Sequence, residues 1–161
     1  MQPTAYKPAQ IGLHWIVAAL IVLQYVFHEP IAEAWDVIED GGTAAFDPMV
    51  AGHVFGGLAV LGLVVWRLVL RARHGAPEVP AQTPPLMARF ASLGHWALYG
   101  LMIAMPVSGA AAWFGGIEAA ADGHELLRVV LLALVAGHVL AALWHQFFLK
   151  DNLMARMRRS R

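Results

Sequence analysis

Cysteine is absent from the 161 residues. Disulfides, thiolate metal centres, iron–sulfur clusters and thioether attachment of a haem through Cys-x-x-Cys-His are therefore excluded. Charge is scarce as well: Asp, Glu, Lys and Arg make up 14% of the chain against 59% hydrophobic residues, a balance too apolar for an ordinary soluble domain. The 11 basic and 11 acidic residues cancel to a net charge of zero, so nothing marks a nucleic-acid partner. No internal repeat and no second soluble domain can be read from the pattern.

The charge that is missing overall is missing above all from four long apolar stretches. They run from about Gln10 to His28, Met49 to Leu70, Met87 to Phe114 and Gly123 to Leu149. Each reaches the roughly 20 apolar residues that a spanning helix needs, so the chain is expected to be all-α, a transmembrane four-helix bundle forming one integral-membrane domain. Lys7 before the first stretch and Ala32-Glu33-Ala34 after it loosely imitate a leader with its cleavage site. The apolar run is long for a leader, and cleavage there would discard His14.

Ten of the 11 lysines and arginines fall on one side of this arrangement: Lys7, then Arg67, Arg71, Arg73 and Arg89, then Lys150, Arg156, Arg158, Arg159 and Arg161. The positive-inside bias assigns that side, with both termini, to the cytoplasm. The other side carries Glu29, Glu33, Asp36, Glu39, Asp40 and Asp47 in a first outer loop and Glu118, Asp122 and Glu125 near a second, with Arg128 as its one basic residue. The Pro-rich stretch from Pro77 to Pro85 reads as an extended inner connector.

Within this apolar frame lie His14, His53, His95, His124, His138 and His145, six of the 8 histidines. In the fourth stretch His124, His138 and His145 are spaced by 14 and 7 residues, which stacks them on one helix face. His53 and His124 lie near the outer ends of their helices, whereas His14, His95, His138 and His145 lie in the inner half. His124 and His138 are separated by about 21 Å of helix rise, a distance that suits one haem near each membrane face. Electron-transfer haems take both axial positions from strong ligands, and helix bundles place such ligands on facing helices. Depth alone leaves four histidines contending for the inner haem. A shared zinc or copper ion is disfavoured, because imidazoles at i and i+7 lie about 10 Å apart and no Asp, Glu or Cys accompanies them in the apolar core.

Gly52, Gly56 and Gly57 surround His53, Gly137 precedes His138, and Gly12 lies near His14. Such residues leave room for a porphyrin and equally let helices pack closely. Arg67, 14 residues beyond His53 on the same helix face, suits a haem propionate or serves as a positive-inside arginine. Pro106, followed by Gly109, predicts a kink in the third helix.

The motifs Leu13-His14-Trp15, Gly52-His53 with Val65-Trp66-Arg67-Leu68-Val69-Leu70-Arg71, Leu93-Gly94-His95 with Tyr99 and Pro106, and Gly137-His138 through His145 to Phe148-Leu149-Lys150-Asp151-Asn152 occur in that order. Together they resemble the bacterial cytochrome b561 family of dihaem membrane proteins, from about residue 8 to residue 157. The resemblance implies two haem b groups, His14 with His138 on the inner iron and His53 with His124 on the outer. It also makes His95, His145 and Arg71 candidates for a quinone site or for supporting the ligands. It implies a multi-pass protein of the bacterial inner membrane, in contact with lipid, that passes single electrons between an outer redox partner and quinone. One alternative is a membrane-anchor relay subunit for a peripheral dehydrogenase, hydrogenase or c-type cytochrome. Another is a superoxide:ubiquinone oxidoreductase, which the acidic outer surface disfavours because superoxide is an anion. A histidine-rich bundle without redox function is the remaining alternative.

The absence of cysteine makes the orientation directly testable. Asp40→Cys is expected to react with a membrane-impermeant thiol reagent applied to spheroplasts, and Arg73→Cys only after permeabilisation; the reverse labelling pattern would invert the topology.

Overall fold

A computed structural model describes residues 5–77, 83–150 and 153–157. Among the described residues there is no strand, and the order is α1 (Pro8–Val26), α2 (Glu29–Glu39), α3 (Pro48–His74), α4 (Pro85–Gly115) and α5 (Glu118–Trp144). One π-helical turn (His145–Leu149) and a short 3-10 turn (Leu153–Met157) follow. Residues 78–82 of the Pro-rich connector lie outside the described residues, as do Asp151, Asn152 and the basic tail residues Arg158, Arg159 and Arg161.

Helix limits follow from local chemistry. Proline occupies the first turn of α1, α2, α3 and α4, where its fixed φ fits and its missing N–H costs nothing. The Asp47 carboxylate caps α3 by accepting from the Met49 N–H at 2.6 Å. Gly116, at φ 63°, closes α4 in the left-handed region and donates its N–H to the Ala112 carbonyl at 2.8 Å.

Two segments differ from the sequence expectation. The stretch expected as an outer loop contains α2, because Ile31, Trp35 and Ile38 recur at helical spacing on a half-buried side while Glu29, Glu33, Asp36 and Glu39 stay exposed. The last spanning helix begins at Glu118 rather than near Gly123. Glu118 favours the positive helix N-terminus, and Ala119, Ala120 and Ala121 are strong helix formers. Its α-geometry then stops at Trp144, and the residues up to Leu149 form the π turn.

Three long-range hydrogen bonds define the up-and-down arrangement. At one face, Gln10 Nε2 near the start of α1 donates to the Gly75 carbonyl just past α3 at 3.1 Å, and Trp15 Nε1 donates to the Met157 carbonyl at 2.8 Å. At the opposite face, Tyr25 Oη near the end of α1 donates to the Arg128 carbonyl of α5 at 2.6 Å. The first is called the terminal face below; the opposite face carries α2 and the α4–α5 connection. The bundle centre is Val17, Val60, Val64 and Tyr99, with Leu20, Leu63, Met102 and Ile103 packed around them. Pro106 is buried inside α4, and the helix continues past it to Gly115.

Little else is buried. Val22, Phe55, Trp66, Leu132 and Leu140 point outward, and four helices are long and apolar enough to cross a membrane. The shortest, α1, with 19 residues, is about 28 Å long, close to the hydrocarbon thickness of about 30 Å. Apolar faces of this extent are stable against lipid, not water. α5 is the least enclosed of the four, with only Leu131 buried, and it carries His124 and His138, with His145 in the π turn that follows.

Val64 has 0% accessibility, so its side chain can be shortened only by opening a void. Val64→Ala is expected to lower stability in detergent by roughly 1–2 kcal/mol, whereas Val22→Ala, at a position 59% exposed, should leave the unfolding midpoint unchanged.

Candidate functional site

Near the terminal face α1, α4 and α5 bring three imidazoles together. The rings of His14 and His138 have centroids 6.3 Å apart at an interplanar angle of 63°, and those of His95 and His138 are 5.4 Å apart at 79°. His95 is held from its own helix, Nδ1 lying 2.6 Å from the Ala91 carbonyl; since a carbonyl only accepts, that nitrogen carries the proton. Arg67 of α3 lies beside this cluster, its guanidinium 6.0 Å from the Tyr99 ring centre. Its Nε and Nη1 are buried without a hydrogen-bond partner. Arg71, one turn on, stands 5.6 Å from the Trp96 ring centre. Both arginines line a small pocket of about 20 Å³ with Tyr6, Gln10 and Tyr99. His145 opens the π turn, half-buried, about 10 Å further toward the terminal face than His138.

Near the opposite face His53 of α3 and His124 of α5 line one cavity of about 370 Å³. His124 is oriented by α4: its Nδ1 lies 2.9 Å from the Met105 carbonyl and 3.2 Å from Ser108 Oγ, and Ser108 Oγ itself donates to the Met105 carbonyl at 2.9 Å. The carbonyl places the proton on Nδ1 and leaves Nε2 as the nitrogen able to ligate. Gly109 permits this approach, since a Cβ there would lie 3.0 Å from His124 Cε1 and 3.1 Å from Nδ1. His53 Nδ1 is buried and has no partner. The cavity is also lined by His28, whose Nδ1 is 3.0 Å from the Tyr25 carbonyl, and by Trp35 of α2. Its rim is acidic, with Asp36, Glu39, Asp122 and Glu125. Arg128 contributes the positive charge there and is paired with Glu125 at 3.4 Å.

These donors suit a macrocycle better than a bare ion. Among the described residues no three His, Asp or Glu side chains converge as a metal cage. Two imidazoles on opposite sides of one metal, with metal–nitrogen bonds of about 2.0–2.1 Å, have ring centres roughly 6 Å apart, and the His14–His138 separation of 6.3 Å fits that span. His14 and His138 would supply two imidazole nitrogens to a haem iron, whose other ligands the porphyrin itself would provide. The Arg67 guanidinium, whose Nε and Nη1 lack a partner, fits a propionate, to which it would offer a charge-assisted hydrogen bond.

Four spanning-length helices, with three histidine rings in contact at one depth and two histidines lining one cavity at the other, have the make-up of a membrane haem-protein bundle. Residues 5–160 match the family described as prokaryotic cytochrome b561, and the chain belongs to that family. Among its relatives is the cytochrome b562 of Cereibacter sphaeroides, 36% identical over 99% of each chain. A probable superoxide oxidase CybB of Yersinia pestis is 32% identical over 94% of each. Cytochrome b561 homolog 1 of Escherichia coli (strain K12) is 27% identical over 94% of this chain and 96% of its own. The protein is thus a multi-pass b-type cytochrome of the bacterial inner membrane that works in electron transfer, and haem b is its cofactor.

Sequence reasoning passed over Gln24, His28, Ser108 and the Met105 carbonyl. Gln24 carried a readable signal, being a polar side chain within a spanning helix, where an unsatisfied amide is costly. The Met105 carbonyl carried none, because any residue there presents the same atom.

Gly109→Ala forces the His124 ring or the α4 backbone to give way. It is expected to lower bound haem per polypeptide and alter the reduced-minus-oxidised spectrum, while Gly62→Ala, with nothing within 4 Å of the added methyl, should match the parent protein in both.

Proposed function

We propose that this chain carries two haem b groups and relays single electrons between a redox partner at the outer face and the quinone pool. His14 and His138 hold the haem near the terminal face, which is the cytoplasmic side, and His53 with His124 hold the other. The observation that carries this reading is the pair of imidazoles from α1 and α5 facing each other at 6.3 Å. When bound, haem supplies a one-electron iron couple whose potential is set by its axial ligands and their surroundings. The chain's own residues do the rest. The Met105 carbonyl fixes the tautomer and direction of His124, and Arg67 neutralises a propionate in a region where a lone charge is expensive. His95 and His145 exchange the protons that accompany quinone reduction, with Arg71, beside His95, holding an oxygen of the ring.

The acidic rim favours a basic partner at the outer face, such as a c-type cytochrome, through electrostatic steering. One relative is named a probable superoxide oxidase, but Asp36, Glu39, Asp122 and Glu125 around the cavity repel an anion, so superoxide is the weaker reading for this chain. A relay subunit for a peripheral dehydrogenase or hydrogenase would use the same face; turnover of quinone by the purified chain alone separates it from a stand-alone oxidoreductase.

Haem per polypeptide on the detergent-purified protein, measured by pyridine haemochrome, is expected to be two. His53→Ala and His124→Ala should each lose one haem, and His14→Ala and His138→Ala the other. His145→Ala should keep both and slow quinone reduction. A single haem in the parent protein, or full haem content in any of the four ligand variants, would overturn the corresponding assignment.

A further inference from the structure

We infer that Gln24 is the hydrogen-bond partner of His53, and so a positioning residue that sets the potential of the haem at the opposite face. The inference rests on the reading of His53 as an axial ligand.

Gln24 lies on α1 inside the spanning region and its amide is pressed against α3 at Gly56, where an added Cβ would collide with Gln24 Nε2. His53 is three residues before Gly56 on the same helix, a spacing at which side chains are neighbours. Gln24 Oε1 and His53 Nδ1 are each buried and each lack a partner. The other buried atoms in that condition among the described residues are Nε and Nη1 of Arg67, which also need an acceptor but lie 11 residues beyond Gly56 along α3, about 16 Å away. One orphaned acceptor and one orphaned donor thus remain at this level of the bundle. Both atoms are shut off from water between the helices, where an unsatisfied polar group is costly.

Ligation through Nε2 puts the proton of His53 on Nδ1 and makes that nitrogen an obligatory donor. Its counterpart His124 already has the Met105 carbonyl as acceptor; the chain offers His53 the Gln24 amide oxygen. Gln24 can turn its oxygen toward His53 by rotation about its side-chain torsions, of which the terminal one is broad. An acceptor on Nδ1 makes an imidazole a more basic ligand, which favours the ferric form and lowers the haem's potential. Gly56 has a corresponding role: its lack of a side chain lets the amide sit on α3 one turn from the histidine.

The test is a redox titration of the purified holoprotein, with the haem assigned by its loss in His53→Ala. Gln24→Met, similar in length but without a strong acceptor, should retain both haems and raise the midpoint of that haem alone. Gln24→Glu, which restores an acceptor, should bring the midpoint back to or below the parent value. Gly56→Ala, which displaces the amide without removing it, should raise the same midpoint and serves where Gln24→Met does not accumulate. An unmoved midpoint in both Gln24→Met and Gly56→Ala, equal shifts of both haems, or a Gln24→Glu shift equal to that of Gln24→Met overturns the role of Gln24 while leaving the ligand assignment intact. Full haem content in His53→Ala overturns the ligand assignment, and this inference with it.

Discussion

Imidazole placed in hydrocarbon must give its ring nitrogens to something, and much of this molecule follows from that requirement. In water each of these histidines would be an ordinary solvated side chain. Within helices α1, α3, α4 and α5 ring nitrogens are met by backbone carbonyls, as at Ala91 and Met105, or by no hydrogen-bonding group, as at His53 Nδ1, and the rings of His14, His95 and His138 lie against one another. Unsatisfied polar atoms at membrane depth are tolerated where a function uses them. Among the described residues they occur on Gln24, His53 and Arg67, at the two levels where the histidines lie.

Packing is arranged around the same need. The tight core of Val17, Val60, Val64 and Tyr99 joins α1, α3 and α4, while α5 is held with little burial of its own. A cofactor ligated from α5 to α1 and from α5 to α3 would supply cohesion that side-chain packing leaves out, coupling haem binding to the stability of the bundle. Small residues mark the close approaches: Gly109 against His124 and Gly56 against Gln24.

The two faces differ in electrostatic character. Basic residues gather at the terminal face, where Arg67 and Arg71 reach toward the histidine cluster and stand near Tyr99 and Trp96. At the opposite face α2 brings exposed acids over the cavity that holds His53 and His124. A negatively charged collar around a redox site selects the sign of what approaches it and alters association rates more than binding strength.

The helical class, the four spans and the grouping of histidines by depth were legible in the sequence, because a spanning helix needs only length and apolarity and a 14-residue interval converts directly into rise and face. α2 was missed because its period is carried by three residues among many acids and its apolar side needs α3 as a surface to cover. Depth left His14, His95, His138 and His145 equivalent; tertiary structure gathers the first three within ring-contact distances and sets His145 at the π turn. The partners of the imidazoles were least legible of all. A main-chain carbonyl has no letter in the sequence, and the pairing of Gln24 with α3 joins residues that only the crossing of two helices brings together. The sequence by itself determined which residues enter the membrane and at what depth, since hydropathy and helical rise are local properties. Which nitrogen faces which acceptor was decided by the tertiary structure, because hydrogen bonds across a bundle depend on the rotation and approach of helices that no single segment specifies.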